Sequence, residues 1–313
     1  MNSTKNLIKR RDFFKNIAVA SAGIAVGGKM LSCTKNKPYQ YDIMQEVRKY
    51  RKIDAHNHVH LRKANPSPET EIEWIERLGF EKLVVSKPIS RSRGKATPKE
   101  VREVNNQVLE CMKRYPDKFI GQCFINPEYQ KESLEEIDRC IDEGMVGLKV
   151  YNQAKINDPL FYPIVEKFID LKMIILMHAE CQLGVGGYRM KYDINRPFNT
   201  SIPEDFVDIA KRYPEAMFQY AHIGGGFDWE YACKMLADSP NVWVDTSGSN
   251  NEEYMIDFAL KTLGEDRILF GSDMSYYQSV GKVLASNLNE TQKKKLFFEN
   301  YNNILRKAGR DVS

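Results

Sequence analysis

"KIDAHNHVH" (residues 52–60) holds three of the chain's five histidines, His56, His58 and His60, at alternate positions, with Asp54 two residues ahead of the first. Read as a β-strand over 52–59, the stretch puts residues i and i+2 on one side. His56 and His58 therefore face the same way and can bind one cation. An isolated His-x-His pair is weak evidence, so the rest of the chain has to supply the other ligands. The remaining histidines are His178 and His222.

Working outward, short β-branched apolar runs alternate with longer amphipathic ones. The strand candidates after 52–59 are "KLVVSK" (82–87), "FIGQCFI" (119–125), "VGLKVY" (146–151), "MIILMH" (173–178), "MFQYAH" (217–222), "VWVDTS" (242–247) and "RILFGSD" (267–273). Between them lie helical stretches such as "KEVREVNNQVLECMKRY" and "YPIVEKFIDL", with Gly79 and Gly144 where helix stops are expected. Eight strand–helix units predict an α/β fold, a single-domain (β/α)₈ barrel over residues 51–310. An open doubly wound sheet is disfavoured because no GxGxxG follows the first strand.

In such a barrel the chemistry sits at the C-terminal ends of the strands. His56 and His58 lie near the end of strand 1, Lys149 near the end of strand 4, and His178 at the end of strand 5. His222 ends strand 6, Asp245 lies late in strand 7 and Asp273 ends strand 8. His56, His58, His178 and Asp273 would give three nitrogens and one oxygen, a set suited to Zn²⁺, with Mn²⁺, Fe²⁺ and Co²⁺ as alternatives.

Composition excludes some partners. The formal charge of +4 comes from the N-terminus: without residues 1–32, 40 basic residues face 41 acidic ones, which leaves no electrostatic case for nucleic acid. Six scattered cysteines with no CxxC pair read as inert thiols rather than a disulfide framework.

Residues 1–33 read as a processing signal. Arg10-Arg11 precede an apolar run, Ile17–Gly28, too short to span a bilayer as a helix. The segment resembles a twin-arginine export signal, with Lys9 where Ser or Thr is common. "MLSC" resembles a bacterial lipobox with Cys33 as the lipidation site, and residues 34–50 would be a linker. The expectation is an exported bacterial protein, periplasmic or held at a membrane surface by acyl chains.

The motifs "IDAHNHVH", "FIGQCFINP", "GLKVY", "ILMHAE", "YAHIGGG", "VWVDTSG", "ILFGSDMS" and "FFENYNNIL" together resemble the amidohydrolase superfamily, in its amidohydrolase-2 branch, over about residues 50–308. That branch includes decarboxylases related to aminocarboxymuconate semialdehyde decarboxylase. The resemblance implies that His56, His58, His178 and Asp273 hold one divalent metal. Asp273 would also accept a proton, and His222 would polarise substrate or move a proton. It also implies a homodimer. Lys149 has three readings: a carbamylated bridge between two metals, a contact to substrate or to the ligands, or a structural residue. Asp54 is read as a contact to substrate or a support behind the ligands, and His60 as a support behind the ligands or a structural residue. Tyr188, Arg189 and Arg196, in the long segment 181–199, are candidates for substrate contact or for a plain surface loop.

The first functional expectation is a metal-dependent hydrolase acting on a lactone, ester or amide of a small molecule, with a metal-activated water, Asp273 as proton carrier and His222 stabilising charge on the carbonyl oxygen. The alternative is non-oxidative decarboxylation of a small carboxylic acid in the same site, with Lys149 and the basic segment 86–95 receiving the carboxylate. A third reading, from another class, is a catalytically silent surface-binding barrel.

Overall fold

The computed structural model describes residues 42–59, 68–89, 96–180, 199–223, 228–248, 250 and 252–313. The export segment with Cys33, and His60, Tyr188, Arg189 and Arg196, lie outside these. Met44–Ser313 forms one compact unit.

All eight expected strands are present among the described residues: β1 (Lys52–His58), β2 (Phe80–Ser86), β3 (Phe119–Gly121) with β4 (Cys123–Phe124), β5 (Gly147–Val150), β6 (Ile174–Met177), β7 (Met217–Tyr220), β8 (Val242–Asp245) and β9 (Ile268–Leu269). The third expected strand is divided at Gln122 into β3 and β4. Pairing is parallel throughout, in the orders β1-β2-β3 and β4-β5-β6-β7-β8-β9.

Backbone hydrogen bonds join the two sheets at both seams. Gln122 N donates to Val85 O at 2.9 Å and Val146 N to Gly121 O at 2.8 Å, carrying the sheet across the break. At the other seam Ala55 N donates to Phe270 O and Asp273 N to His56 O, each at 2.8 Å. The first and last strands therefore meet, and the ring is closed, which leaves no sheet edge.

The helices follow the strands as patterned. Helix α1 (Ile43–Arg48) precedes β1; α2 (Pro68–Arg77), α3 (Pro98–Arg114), α4 (Gln130–Asp142), α5 (Tyr162–Leu171), α6 (Pro203–Arg212), α7 (Trp229–Leu236), α8 (Met255–Leu263) and α9 (Tyr276–Ala285) alternate with the strands. The start of α3 is set by local chemistry: Thr97 caps it in a reciprocal box with Glu100, and Pro98 occupies the first turn. The short α10 (Glu290–Lys294) runs through a π-helical turn into α11 (Asn300–Lys307).

Two apolar layers result. One lies between strands and helices and includes Leu83, Leu148, Ile175, Phe218, Val244 and Phe270. The other gathers Ile53, Val84, Val146, Ile174, Met217 and Leu269, most of them at or near the starts of their strands, against Phe298, Tyr301, Ile304 and Leu305. The C-terminal helix thus stoppers the N-terminal mouth and leaves the opposite mouth for chemistry. Cys111, Cys123, Cys140 and Cys233 are buried free thiols, as expected.

Candidate metal centre

The strand periodicity of β1 is interrupted between Asp54 and Asn57, where the register with β2 shifts. Such an irregularity re-aims side chains. Asp54 secures the spot: it is fully buried and accepts from His56 N at 3.2 Å, Asn57 Nδ2 at 2.8 Å, Ser272 N at 2.9 Å and the Ser272 hydroxyl. Burial pushes its carboxyl up to about 7, against the lowering effect of these hydrogen bonds. Asp54 therefore ties β1 to the segment that carries Asp273.

The other histidines and Asp273 stand just beyond regular pairing rather than inside the strands. His178 follows β6 directly, His222 lies two residues past β7 and Asp273 four past β9. His222 and Asp273 adopt left-handed backbone, at φ 66° and 46°, as does Met274 at 70°. Non-glycine residues take such values at a cost and cluster at functional sites.

Side chains of all four described histidines then meet. His56, His222 and Asp273 offer ligand atoms that lie within 4.8 Å of one another. His58 Nε2 is 3.1 Å from Asp273 Oδ1. His178 Nδ1 is 3.0 Å from His222 Nε2. The expected ligands His56, His58, His178 and Asp273 thus share one cluster. Within it His222, expected beside the metal, stands closer to His56 and Asp273 than a bystander needs to. A partly buried set of imidazoles with one carboxylate is the donor chemistry that a divalent transition ion takes.

Lys149 is fully buried, with Nζ 2.8 Å from His56 Nε2. Burial lowers its pKa to about 8, although Asp273 and Asp245 pull the other way. His56 is lowered to about 4 by burial and then by the charge on Lys149. His178 and His222 are lowered too, in both cases mainly by burial. For Asp273, burial raises the pKa, but the hydrogen bond from His58 and the nearby His56 and His222 outweigh it and hold the carboxylate well below the usual range.

Several residues support this cluster; the sequence places Asp245 at the strand ends without giving it a role and does not single out Ser86, Tyr151 or Glu180. Asp245 accepts at Oδ2 from His56 Nδ1 (3.0 Å) and Gln219 Nε2 (2.9 Å), and at Oδ1 from the backbone N–H groups of His222 and Ser247 (both 3.1 Å). Ser86 Oγ lies 3.2 Å from His58 Nδ1. Tyr151 stacks on His178 with ring centroids 4.1 Å apart, and Glu180 Oε1 is 3.4 Å from His178 Nε2. The signal for Asp245 was present, a buried-strand carboxylate late in strand 7; Ser86 and Tyr151 resemble ordinary strand residues. A cavity of about 670 Å³ opens elsewhere, at the N-terminal face between Lys82, Lys118, Ile120 and the C-terminal Arg310–Ser313, and contains none of these groups.

Comparison with known proteins adds three relatives and a family. The model of the amidohydrolase family matches residues 53–297. The 2-amino-3-carboxymuconate-6-semialdehyde decarboxylase of Dictyostelium discoideum is 22% identical over 218 residues, spanning 61% of this chain and 60% of that relative. A 2,6-dihydroxybenzoate decarboxylase from Rhizobium superposes at TM-score 0.65 with 16% identity, covering 82% of this chain and 99% of its own. A 5-carboxyvanillate decarboxylase from Novosphingobium aromaticivorans, solved with manganese, superposes at 0.64 with 16% identity, covering 83% and 97%. The two structures share the fold, which is the expected barrel. The sequence ranked hydrolysis above decarboxylation and zinc above manganese. These three proteins are decarboxylases, the reaction ranked second, and the one solved with a metal holds manganese. The ligand residues serve both reactions, and so could not rank them.

Proposed function

We propose, from the premise that this chain belongs to the amidohydrolase family, that it is a metal-dependent non-oxidative decarboxylase of a small aromatic or enoic carboxylic acid. The observation that carries the reading is the convergence of His56, His222 and Asp273, with His58 and His178 attached to them. The decarboxylases among its relatives support this reaction over hydrolysis.

His56, His58, His178 and Asp273, with His222 adjoining, would hold one divalent ion. When bound, that ion supplies positive charge that orients and neutralises an anionic substrate. The chain's own residues do the rest. Lys149, with Nζ 2.8 Å from His56 Nε2, adds a buried positive charge at the centre, where it would favour an anionic substrate group. Loss of CO₂ breaks a carbon–carbon bond and requires a proton at the carbon left behind. His222 and Asp273, 3.9 Å apart at the mouth, are the groups placed to carry that proton. Asp245 and Gln219 hold His56 from behind, and Tyr151 holds the plane of His178. The proposal keeps the export signal and the Cys33 lipid anchor, which cell fractionation and mass spectrometry of the mature N-terminus would test.

The deciding experiment incubates full-length protein and Mn²⁺ with hydroxybenzoates and carboxymuconate-type acids and measures CO₂. Stoichiometric CO₂ and the protonated product are expected. Acid release from lactones or esters with no CO₂ from any acid would return the protein to the hydrolases.

A further inference from the structure

We propose that Ser247 is a positioning residue that fixes the tautomer of His222, as the middle link of a relay running Asp245–Ser247–His222. Its consequence for turnover rests on the decarboxylase reading; the tautomer does not.

Ser247 is fully buried. Its Oγ lies 2.8 Å from His222 Nδ1 and 3.2 Å from His56 Nδ1, and makes its closest contact with Asp245 Oδ1. A serine hydroxyl has one proton to give and two lone pairs. The Asp245 carboxylate takes the backbone N–H groups of His222 and Ser247 at Oδ1 and the amide of Gln219 at Oδ2, donors that leave it only the accepting role. The hydroxyl proton therefore goes to Asp245. What Ser247 then shows to His222 is a lone pair, so Nδ1 of His222 must carry its hydrogen. Nε2 keeps its lone pair, 3.0 Å from His178 Nδ1, in the ring that converges with His56 and Asp273.

The surroundings hold this relay in place from three sides. Asp245 Oδ1 also takes the backbone N–H of His222, the residue in left-handed conformation, so one oxygen sets both the backbone and, through Ser247, the ring. Thr246 Oγ1 exchanges hydrogen bonds with Gly271, accepting from its N at 3.2 Å. Lys282 Nζ donates to the carbonyl of Gly248, next in the chain after Ser247. A hydroxyl placed this firmly between a carboxylate and an imidazole distinguishes the two ring nitrogens, a choice the bare pocket would leave open.

The test uses full-length protein labelled with ¹⁵N in its five histidines. Two-bond proton–nitrogen correlation reads the tautomer of each ring, and His222→Gln assigns the one in question. After removal of divalent metal, wild-type His222 is expected to carry its proton on Nδ1. Ser247→Ala should lose that preference, giving mixed or Nε2-protonated rings, and Ser247→Thr should restore it. Ser247→Cys, close in shape but a weak donor, should behave like alanine and covers the case of an alanine variant that does not fold. Manganese affinity of the alanine and cysteine variants should fall by about 10–100-fold. A single Nδ1–H tautomer persisting in both variants, or a wild-type ring protonated on Nε2, overturns the proposal. The expected tautomers in a protein that releases CO₂ from no acid would uphold this proposal and sink the decarboxylase reading.

Discussion

Gly271 lies so close to Asp245 that a β-carbon on it would stand 3.0 Å from Asp245 Cβ and 3.1 Å from its Oδ1. Asp245 organises His56 directly and His222 through its backbone, so the bare glycine is what lets the seventh and eighth barrel strands bring their ends together. Gly271→Ala should push that carboxylate off its partners. Overpacking of this kind costs about 1–3 kcal/mol, and disturbed support behind a ligand costs about 10–100-fold in metal affinity or activity. Denaturant melts beside metal titrations would check both; an unchanged metal affinity would mean that Asp245 is free to shift.

Asp273→Asn should remove turnover. The change keeps the shape but takes away a ligand oxygen and a proton carrier, and acid–base groups contribute about 10²–10⁴-fold. Circular dichroism should show the fold retained. Full activity in a folded variant would end the role assigned to Asp273.

Metal content provides a third check. Protein purified without chelators should hold about one divalent ion per chain, as a mononuclear site of this donor set implies, and His178→Ala should lose it. Two ions per chain by mass spectrometry would instead make Lys149 a bridging ligand.

Glu71 gives a prediction about stability. It is 2% exposed and accepts a hydrogen bond from Tyr276 at 3.1 Å; burial, opposed by that bond, raises its carboxyl to about 7 from 4.5. Between those values the folded chain holds a proton that the unfolded chain has released, so stability falls as pH rises through the window. Glu71→Gln removes the penalty and keeps an acceptor for Tyr276. The variant should exceed the wild type by about 3 kcal/mol at pH 8 and by less than about 1 kcal/mol at pH 5. Urea unfolding at the two pH values measures the difference, and a gap that does not change with pH would refute the buried-acid account.

The barrel was legible because its signals are local. The β-branched runs, the helix "YPIVEKFIDL" and the stops at Gly79 and Gly144, both with positive φ, each follow from neighbouring residues. The break at Gln122 was not legible: the run 119–125 is apolar on both sides of it, and the division depends on seams to Val85 and Val146 that only the closed ring supplies. In the site, the histidines stood out because the chain has so few. Ser247 and Tyr151 did not, since a serine in "DTSG" or a tyrosine after "LKV" gains its meaning only from rings that arrive from other strands. The nearness of His222 to His56 was hidden for a related reason. It depends on a left-handed turn at a non-glycine residue, which strand periodicity does not anticipate.

The seam between the first and last strands has a consequence for biosynthesis. His56 leaves the ribosome early, whereas Asp273, whose N–H bonds to the His56 carbonyl, and the stopper residues Ile304 and Leu305 leave near the end. A nascent chain short of Phe270 and Asp273 lacks the partners of this seam, so His56 and His58 precede their carboxylate by some 215 residues of synthesis. A chain ending before Asp273 would carry every histidine without that carboxylate, so any metal that the centre takes would be captured late in synthesis or after it.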